Sequence, residues 1–169
     1  EKIKAVIEKE LKRPVGDSFM SIEEEALAAA SVAQVHMAEL EEGQRVVVKV
    51  IRPGIDKKIR EDIGLMYYFA EKIEKSFEIG KIIDFVDLVK EFERSIFREL
   101  DMFTEAGNIE RFAQNFRDSE ELYIPAVYWE YTAKSVLVME HIAGIKMDQV
   151  AEIVANDIDP KEIAMIGLR

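Results

Sequence analysis

A lysine inside an apolar, β-branched segment constrains the fold of this chain more than any other sequence feature. The segment, residues 45–51, reads RVVVKVI and follows EEGQ, in which Gly43 suits a tight turn. β-Branched residues favour strands, so the segment is predicted to form a hairpin with residues 32–40. Lys49 then needs either a sheet edge beside water or an acidic partner, because an unpaired buried ammonium is strongly destabilising.

Hydrophobic periodicity divides the rest of the chain into helices and strands. Five strands are predicted, over residues 18–27, 32–40, 45–51, 124–131 and 134–142. Helices are predicted over residues 1–13, from Pro53 to Gly80 with an apolar stripe that ends at Phe77, and over 84–116, 147–156 and 160–169. This order is typical of an α+β fold with an antiparallel sheet of about five strands and two long helices.

The helix predicted over residues 84–116 carries two carboxylates on faces that are expected to be buried. One apolar stripe contains Glu99, and a second stripe, on another side of the helix, contains Glu105. The change of face near residues 100–104 indicates a kink, a bulge or two different packing neighbours. A buried glutamate in a helix would give Lys49 its partner, as in protein kinases, where such a pair holds the lysine against nucleotide phosphates.

The segment VLVMEHI, residues 136–142, fits the last strand and the hinge of a kinase N-terminal lobe. Met139 would be the gatekeeper residue, and the backbone from Glu140 to Ile142 would hold adenine. Each feature also has a plain structural interpretation: an edge-strand lysine, a glutamate at the margin of a stripe, an ordinary strand. The order of the features along the chain favours the kinase-like arrangement.

Composition excludes several other classes. The net charge of −11 disfavours a nucleic-acid partner, which requires a basic face. The absence of cysteine excludes disulfides and thiolate metal sites, and two histidines far apart disfavour a histidine metal site. No signal peptide and no apolar run near 18 residues is found, so no membrane-spanning segment is expected.

Four segments resemble the UbiB family of atypical protein-kinase-like proteins, also called the ABC1, ADCK or AarF family. They are AAASVAQVHMAEL, VVVKVIRPG, RELDMFTEAGNIERF and IPAVYWEYTAKSVLVMEHIAG, and the resemblance covers about residues 14–147. It implies that an alanine-rich loop replaces the glycine-rich nucleotide loop, that Lys49 pairs with Glu105, and that Glu99 and Asp101 form the family's E-x-D motif. The residues of the alanine-rich loop are Ala28, Ala29, Ala30 and Ser31.

The same resemblance implies a function for the parent protein. Such proteins bind ATP or ADP with Mg²⁺, show ATPase activity, and are implicated in ubiquinone (isoprenoid quinone) biosynthesis, with quinone-biosynthesis proteins or lipid as partners. The parent is expected on the cytoplasmic side and associated with a membrane. The family's K-x-G-Q motif is expected before residue 1, and its catalytic loop and metal ligands after Arg169. Residues 1–142 are therefore expected to be an N-terminal lobe, and 143–169 the start of a helical C-terminal lobe.

Three other interpretations of the sequence remain. A non-catalytic nucleotide-sensing scaffold would keep Lys49 and Glu105 but would need no turnover. A small-molecule kinase of the same fold is disfavoured by the alanine-rich loop and by the ELD sequence. A plain interaction module, with every charge at a margin, would need no nucleotide. The chain contains neither H-x-D-x-x-x-x-N nor D-F-G, so it is expected to be inactive by itself.

Overall fold

The computed structural model of the chain describes residues 2–76 and 83–167. Within these residues, one four-stranded antiparallel sheet in the order β1-β2-β3-β4 is combined with six α-helices. The strands are β1 Ser21–Ala29, β2 Ala33–Glu39, β3 Arg45–Ile51 and β4 Val136–Glu140. The helices are α1 Lys2–Leu11, α2 Ile55–Ser76, α3 Phe85–Glu99, α4 Met102–Asn115, α5 Val150–Ala155 and α6 Pro160–Ile166. The predicted α+β class is confirmed.

The predicted hairpin is formed by β2 and β3. Gly43 adopts φ 82°, a left-handed conformation that suits glycine, and its amide donates to the carbonyl of Leu40 at 2.9 Å. The two strands pair without a bulge, with Val35 opposite Lys49. Because β4 pairs with the other side of β3, Lys49 lies in an interior strand and not at an edge.

β1 is an edge strand and pairs irregularly with β2. The register shifts between Ile22 and Ala26, so that the three glutamates at 23–25 lie in a bulge. Glutamate is unfavourable in strands, and the position of these three in a bulge of an edge strand explains how β1 accommodates them. Charged side chains and bulges at an edge protect it from pairing with another chain.

The sheet is covered on both faces. On one face, α1 packs through Ile7, which is fully buried against valines of β3 and β4 such as Val48 and Val138. On the other face, α4 packs through Met102 and Ala106. Side chains alternate along a strand, so Lys49 points to the α4 face while its neighbour Val48 points to α1.

The two long helical patterns are also found, with one break. α2 packs against α3 through Ile63, Ala70 and Val89. The second pattern is interrupted at residues 100–101, so the expected change of face is a gap between α3 and α4. Phe77 and Gly80, the predicted end of the first long helix, lie outside the described residues.

The prediction of a fifth strand over residues 124–131 was wrong. Val127 forms only an isolated bridge with Met139, and residues Trp129–Tyr131 form a 3-10 helix. The amide of Tyr128 donates to Val138 at 2.8 Å and the amide of Glu140 donates to Ala126 at 2.8 Å, after which the chain turns away. Two hydrogen bonds beside β4 do not make a strand, although apolar and polar residues alternate in this segment as they do in one.

The lobe boundary at residue 142 stays a prediction.

We expect Ile7→Ala to lower the free energy of unfolding by about 2–5 kcal/mol, because it opens a cavity between α1 and the sheet. Leu65→Ala on α2 is the control, since Leu65 is 59% exposed and its truncation leaves no cavity. Urea denaturation followed by circular dichroism measures both. Equal losses in the two variants would show that α1 does not stabilise the sheet.

Candidate functional site

The side chains of Lys49 and Glu105 form a two-point ion pair on the α4 face of the sheet. Nζ of Lys49 donates to Oε1 of Glu105 at 2.7 Å and to Oε2 at 2.8 Å. The relative solvent exposure of the side chain is 23% for Lys49 and 35% for Glu105, so the pair is partly shielded from solvent but still accessible. The structure thus brings together the two residues that the sequence suggested as partners, and it fixes the ammonium in one place.

Local structure explains how this pair is positioned. Lys49 pairs in the sheet with Val35 and Leu137, so its backbone is held on both sides. Glu105 lies in the first turn of α4, next to Ala106, which is fully buried against the sheet. Close packing through a small residue lets α4 approach the strand, and its glutamate reaches the lysine.

A cavity of about 370 Å³ opens beside the ion pair. Glu99, the last residue of α3, lines it, although its side chain is exposed and not buried as predicted. The prediction of burial was wrong because α3 contacts α2 along only a narrow face of the helix. Leu88 and Phe92, which lie outside that face, are exposed as well. The residues that line the cavity are Lys49, Ser95, Arg98, Glu99, Thr104, Glu105 and Asn108.

Asp101 lies two residues after Glu99 but borders a different cavity, of about 510 Å³, with Arg52 and Lys134. Its Oδ1 accepts a hydrogen bond from the amide of Phe103 at 3.1 Å, which makes it the N-cap of α4. N-cap carboxylates satisfy backbone amides that the first helical turn leaves free. The two carboxylates of the ELD sequence therefore have different environments.

The alanine-rich residues form the end of a strand and a tight turn. Ala28 and Ala29 belong to β1, opposite Val35 and Gln34 of β2. The turn that follows, residues 30–32, is closed by a hydrogen bond from the amide of Ala30 to the carbonyl of Ala33 at 2.9 Å. Ala28, Ala29, Ala30 and Ser31 are exposed and do not line the cavity beside Lys49.

The predicted gatekeeper and hinge lie at the end of β4. Met139 pairs with Val47, two residues from Lys49 on the same face of the sheet. The amide of Glu140 donates to the carbonyl of Ala126, on the side of β4 away from β3. In an antiparallel strand the carbonyl of a residue points to the same side as its amide, so the carbonyl of Glu140 also points away from β3. Within the described part of the chain, the carbonyl of Glu140 and the amide of Ile142 form no hydrogen bond.

Sequence reasoning missed the side chain that holds the hinge glutamate. The hydroxyl of Tyr123 donates to both carboxylate oxygens of Glu140, at 2.7 and 2.8 Å. This hydrogen bond raises the pKa of the Tyr123 phenol above its usual value. The contact joins residues 17 positions apart in an irregular segment, so no periodicity in the sequence indicates it.

A metal site is not evident among the described residues. They contain no group of three or more histidine, cysteine, aspartate or glutamate side chains that could hold an ion. No described helix is long and apolar enough to cross a membrane.

Comparisons with known proteins agree with the kinase-like geometry. The model of the ABC1 atypical kinase-like domain matches residues 1–169. A probable protein kinase UbiB of Marinobacter nauticus is 44% identical over 168 residues, which is 99% of this chain and 31% of the relative. A probable protein kinase UbiB of Cellvibrio japonicus is 45% identical over 163 residues, 96% of this chain and 30% of the relative. The chain thus spans about a third of the length of these relatives.

One solved structure is also similar. It is the complex of Rv3197 with erythromycin, from Mycobacterium tuberculosis, which matches with a TM-score of 0.75 at 28% sequence identity. The match covers 89% of this chain and 37% of that one.

We expect Asp101→Ala to lower the free energy of unfolding by about 0.5–2 kcal/mol through loss of the α4 cap, and Asp101→Asn to have a much smaller effect, since asparagine also caps. Asp148→Ala removes the same charge from an exposed position with no hydrogen bond in the described structure, and it serves as the control. Urea denaturation measures all three. A loss in Asp148→Ala as large as that in Asp101→Ala would contradict the capping role.

Proposed function

The chain belongs to the ABC1 atypical kinase-like family, and from this we propose that it is the nucleotide-binding lobe of a UbiB-type atypical kinase or ATPase. Its ligand would be ATP or ADP. The observation that carries the proposal is the two-point ion pair between Lys49 and Glu105. In phosphoryl-transfer proteins of the kinase type, a lysine on the third strand is oriented by a helical glutamate and contacts the nucleotide phosphates.

The charge and exposure of the pair support this role. The carboxylate of Glu105 accepts two hydrogen bonds from the Lys49 ammonium, which has three N–H donors. The lysine side chain is still partly exposed, which leaves room for a phosphate oxygen at the third donor. A charge-assisted contact of this kind is stronger than a neutral hydrogen bond. Glu105 contributes by holding the ammonium in place rather than by contacting the nucleotide.

The backbone of the predicted hinge would suit adenine. The carbonyl of Glu140 and the amide of Ile142 are a free acceptor and a free donor two residues apart, which would match the donor and acceptor edge of adenine. Met139, on the Lys49 face of the sheet, would contact the adenine ring. The alanine-rich residues 28–31 would lie over the phosphates, and their Cβ atoms would restrict how closely the backbone approaches.

Mg²⁺ in such sites bridges phosphate oxygens and neutralises charge. The described residues offer no cluster that would hold it, so we assign none of them to the metal. For the parent protein, we propose a role in isoprenoid quinone biosynthesis, which is supported by the similarity to the UbiB relatives.

Lys49→Met is expected to raise the Kd for ADP at least tenfold, since a hydrogen bond to a charged group is worth about 1.5–3 kcal/mol. Lys57→Met, on the exposed side of α2, removes the same charge and is expected to leave the Kd within about twofold. Isothermal titration calorimetry of the 169-residue chain measures both. Equal affinity of Lys49→Met and the wild-type chain would refute the proposed function.

The chain by itself is expected to bind nucleotide without hydrolysing it. Its sequence contains neither the H-x-D-x-x-x-x-N nor the D-F-G pattern that supplies the catalytic and metal-binding residues of protein kinases. Phosphate release from ATP, measured with and without the chain, tests this expectation. A rate above background that is lost in Lys49→Met would contradict it. In a full-length relative, the same assay distinguishes an ATPase from a scaffold that only binds nucleotide.

A further inference from the structure

Arg52, the residue directly after β3, bonds to both ends of the β1–β2 turn, residues 30–32. Its backbone amide donates to the carbonyl of Val32 at 2.9 Å. Its Nη2 donates to the carbonyl of Ala30, also at 2.9 Å. These two contacts, here called the Arg52 hydrogen bonds, connect the end of the strand that carries Lys49 to the turn.

The side chain of Arg52 has no other polar partner in the described part of the chain. Its Nε is buried and forms no hydrogen bond, and it makes no ion pair although the chain contains 34 acidic residues. The guanidinium is directed at a backbone carbonyl of the turn, and the bond is charge-assisted.

Packing holds only one end of the turn, where Val32 is partly buried against the core cluster that contains Leu137. Ala30 and Ser31 are exposed, so side-chain packing does not fix them. β1, which leads into the turn, is an exposed edge strand with a bulge. Apart from the Arg52 hydrogen bonds, the turn is closed by the bond from Ala30 to Ala33.

We propose that Arg52 is a positioning residue for the nucleotide site. Arg52 follows Lys49 by three residues, just beyond the end of β3, so the Arg52 hydrogen bonds set where the turn lies relative to the Lys49 ammonium. A turn that is ordered before the nucleotide arrives costs less entropy on binding. The effect on nucleotide affinity rests on the proposed function, whereas the ordering of the turn does not.

The ordering is tested by NMR-detected amide exchange of Ala30 in the chain without nucleotide. Arg52→Ala is expected to speed this exchange at least about fivefold, because a charge-assisted bond that protects the turn is lost. Arg45→Ala is the matched control, since Arg45 lies at the other end of β3 and its exposed side chain forms no hydrogen bond in the described structure. Its exchange is expected to match the wild-type chain.

The positioning role is tested by calorimetric titration with ADP. Arg52→Ala is expected to raise the Kd about threefold to tenfold, Arg45→Ala to leave it unchanged, and Arg52→Lys to fall between, since its ammonium keeps the charge but lacks the planar fork. If Arg52→Ala fails to fold, as judged by circular dichroism, Arg52→Lys alone carries both measurements, with the same directions expected.

The outcomes separate the two proposals. Unchanged exchange of Ala30 in a folded Arg52 variant would overturn the ordering of the turn. Faster exchange with unchanged ADP affinity would overturn the positioning role. Absence of ADP binding by the wild-type chain would refute the proposed function and, with it, the positioning role, while the exchange rates would still decide whether Arg52 orders the turn.

Discussion

The ion pair between Lys49 and Glu105 is the constraint on which the arrangement of the sheet and α4 depends. β3 has a neighbour on each side, so its lysine has no sheet edge from which to reach water. Removing one partner of a buried pair costs about 3–5 kcal/mol, because the other charge stays unpaired in a poorly solvated place. The pair is partly exposed, so the cost here is smaller, but it acts in the same direction.

The gap between α3 and α4 follows from the same requirement. α4 must start close to the sheet so that Met102 and Ala106 pack on it, and a continuous helix from residue 84 would keep α3 and α4 on one axis. Asp101 makes the break stable by capping the new helix. As a result, Glu99 ends α3 at the rim of the Lys49 cavity, and Asp101 begins α4 on another side. Glu99 and Asp101 therefore have different surroundings although only one residue separates them in the sequence.

Patterns that depend on local sequence predicted most of the fold, whereas most contacts between distant segments were missed. Sequence pattern indicated the β2–β3 hairpin, Lys49 and the two candidate partners Glu99 and Glu105, because a charge in an apolar segment stands out, and the family resemblance selected Glu105. The alternation at residues 124–131 also resembles a strand, but after two hydrogen bonds beside β4 the chain turns into the 3-10 helix Trp129–Tyr131, which the alternation does not show. The exposure of Glu99 depends on how narrowly α3 contacts α2. Arg52 was missed because an arginine after a strand resembles an ordinary surface residue.

The alanine-rich residues acquire a physical explanation from the register of β1. Ala28 and Ala29 lie in the ladder with β2, where extended backbone accepts a Cβ without strain. Neither Ala30 nor Ser31 has a positive φ, so the turn does not require glycine. A glycine-rich loop gains adaptability from backbone freedom, whereas alanine reduces that freedom in the unbound state. Together with the hydrogen bonds from Arg52, the alanine-rich residues produce a short, preformed turn between β1 and β2, the strand that pairs with the Lys49 strand.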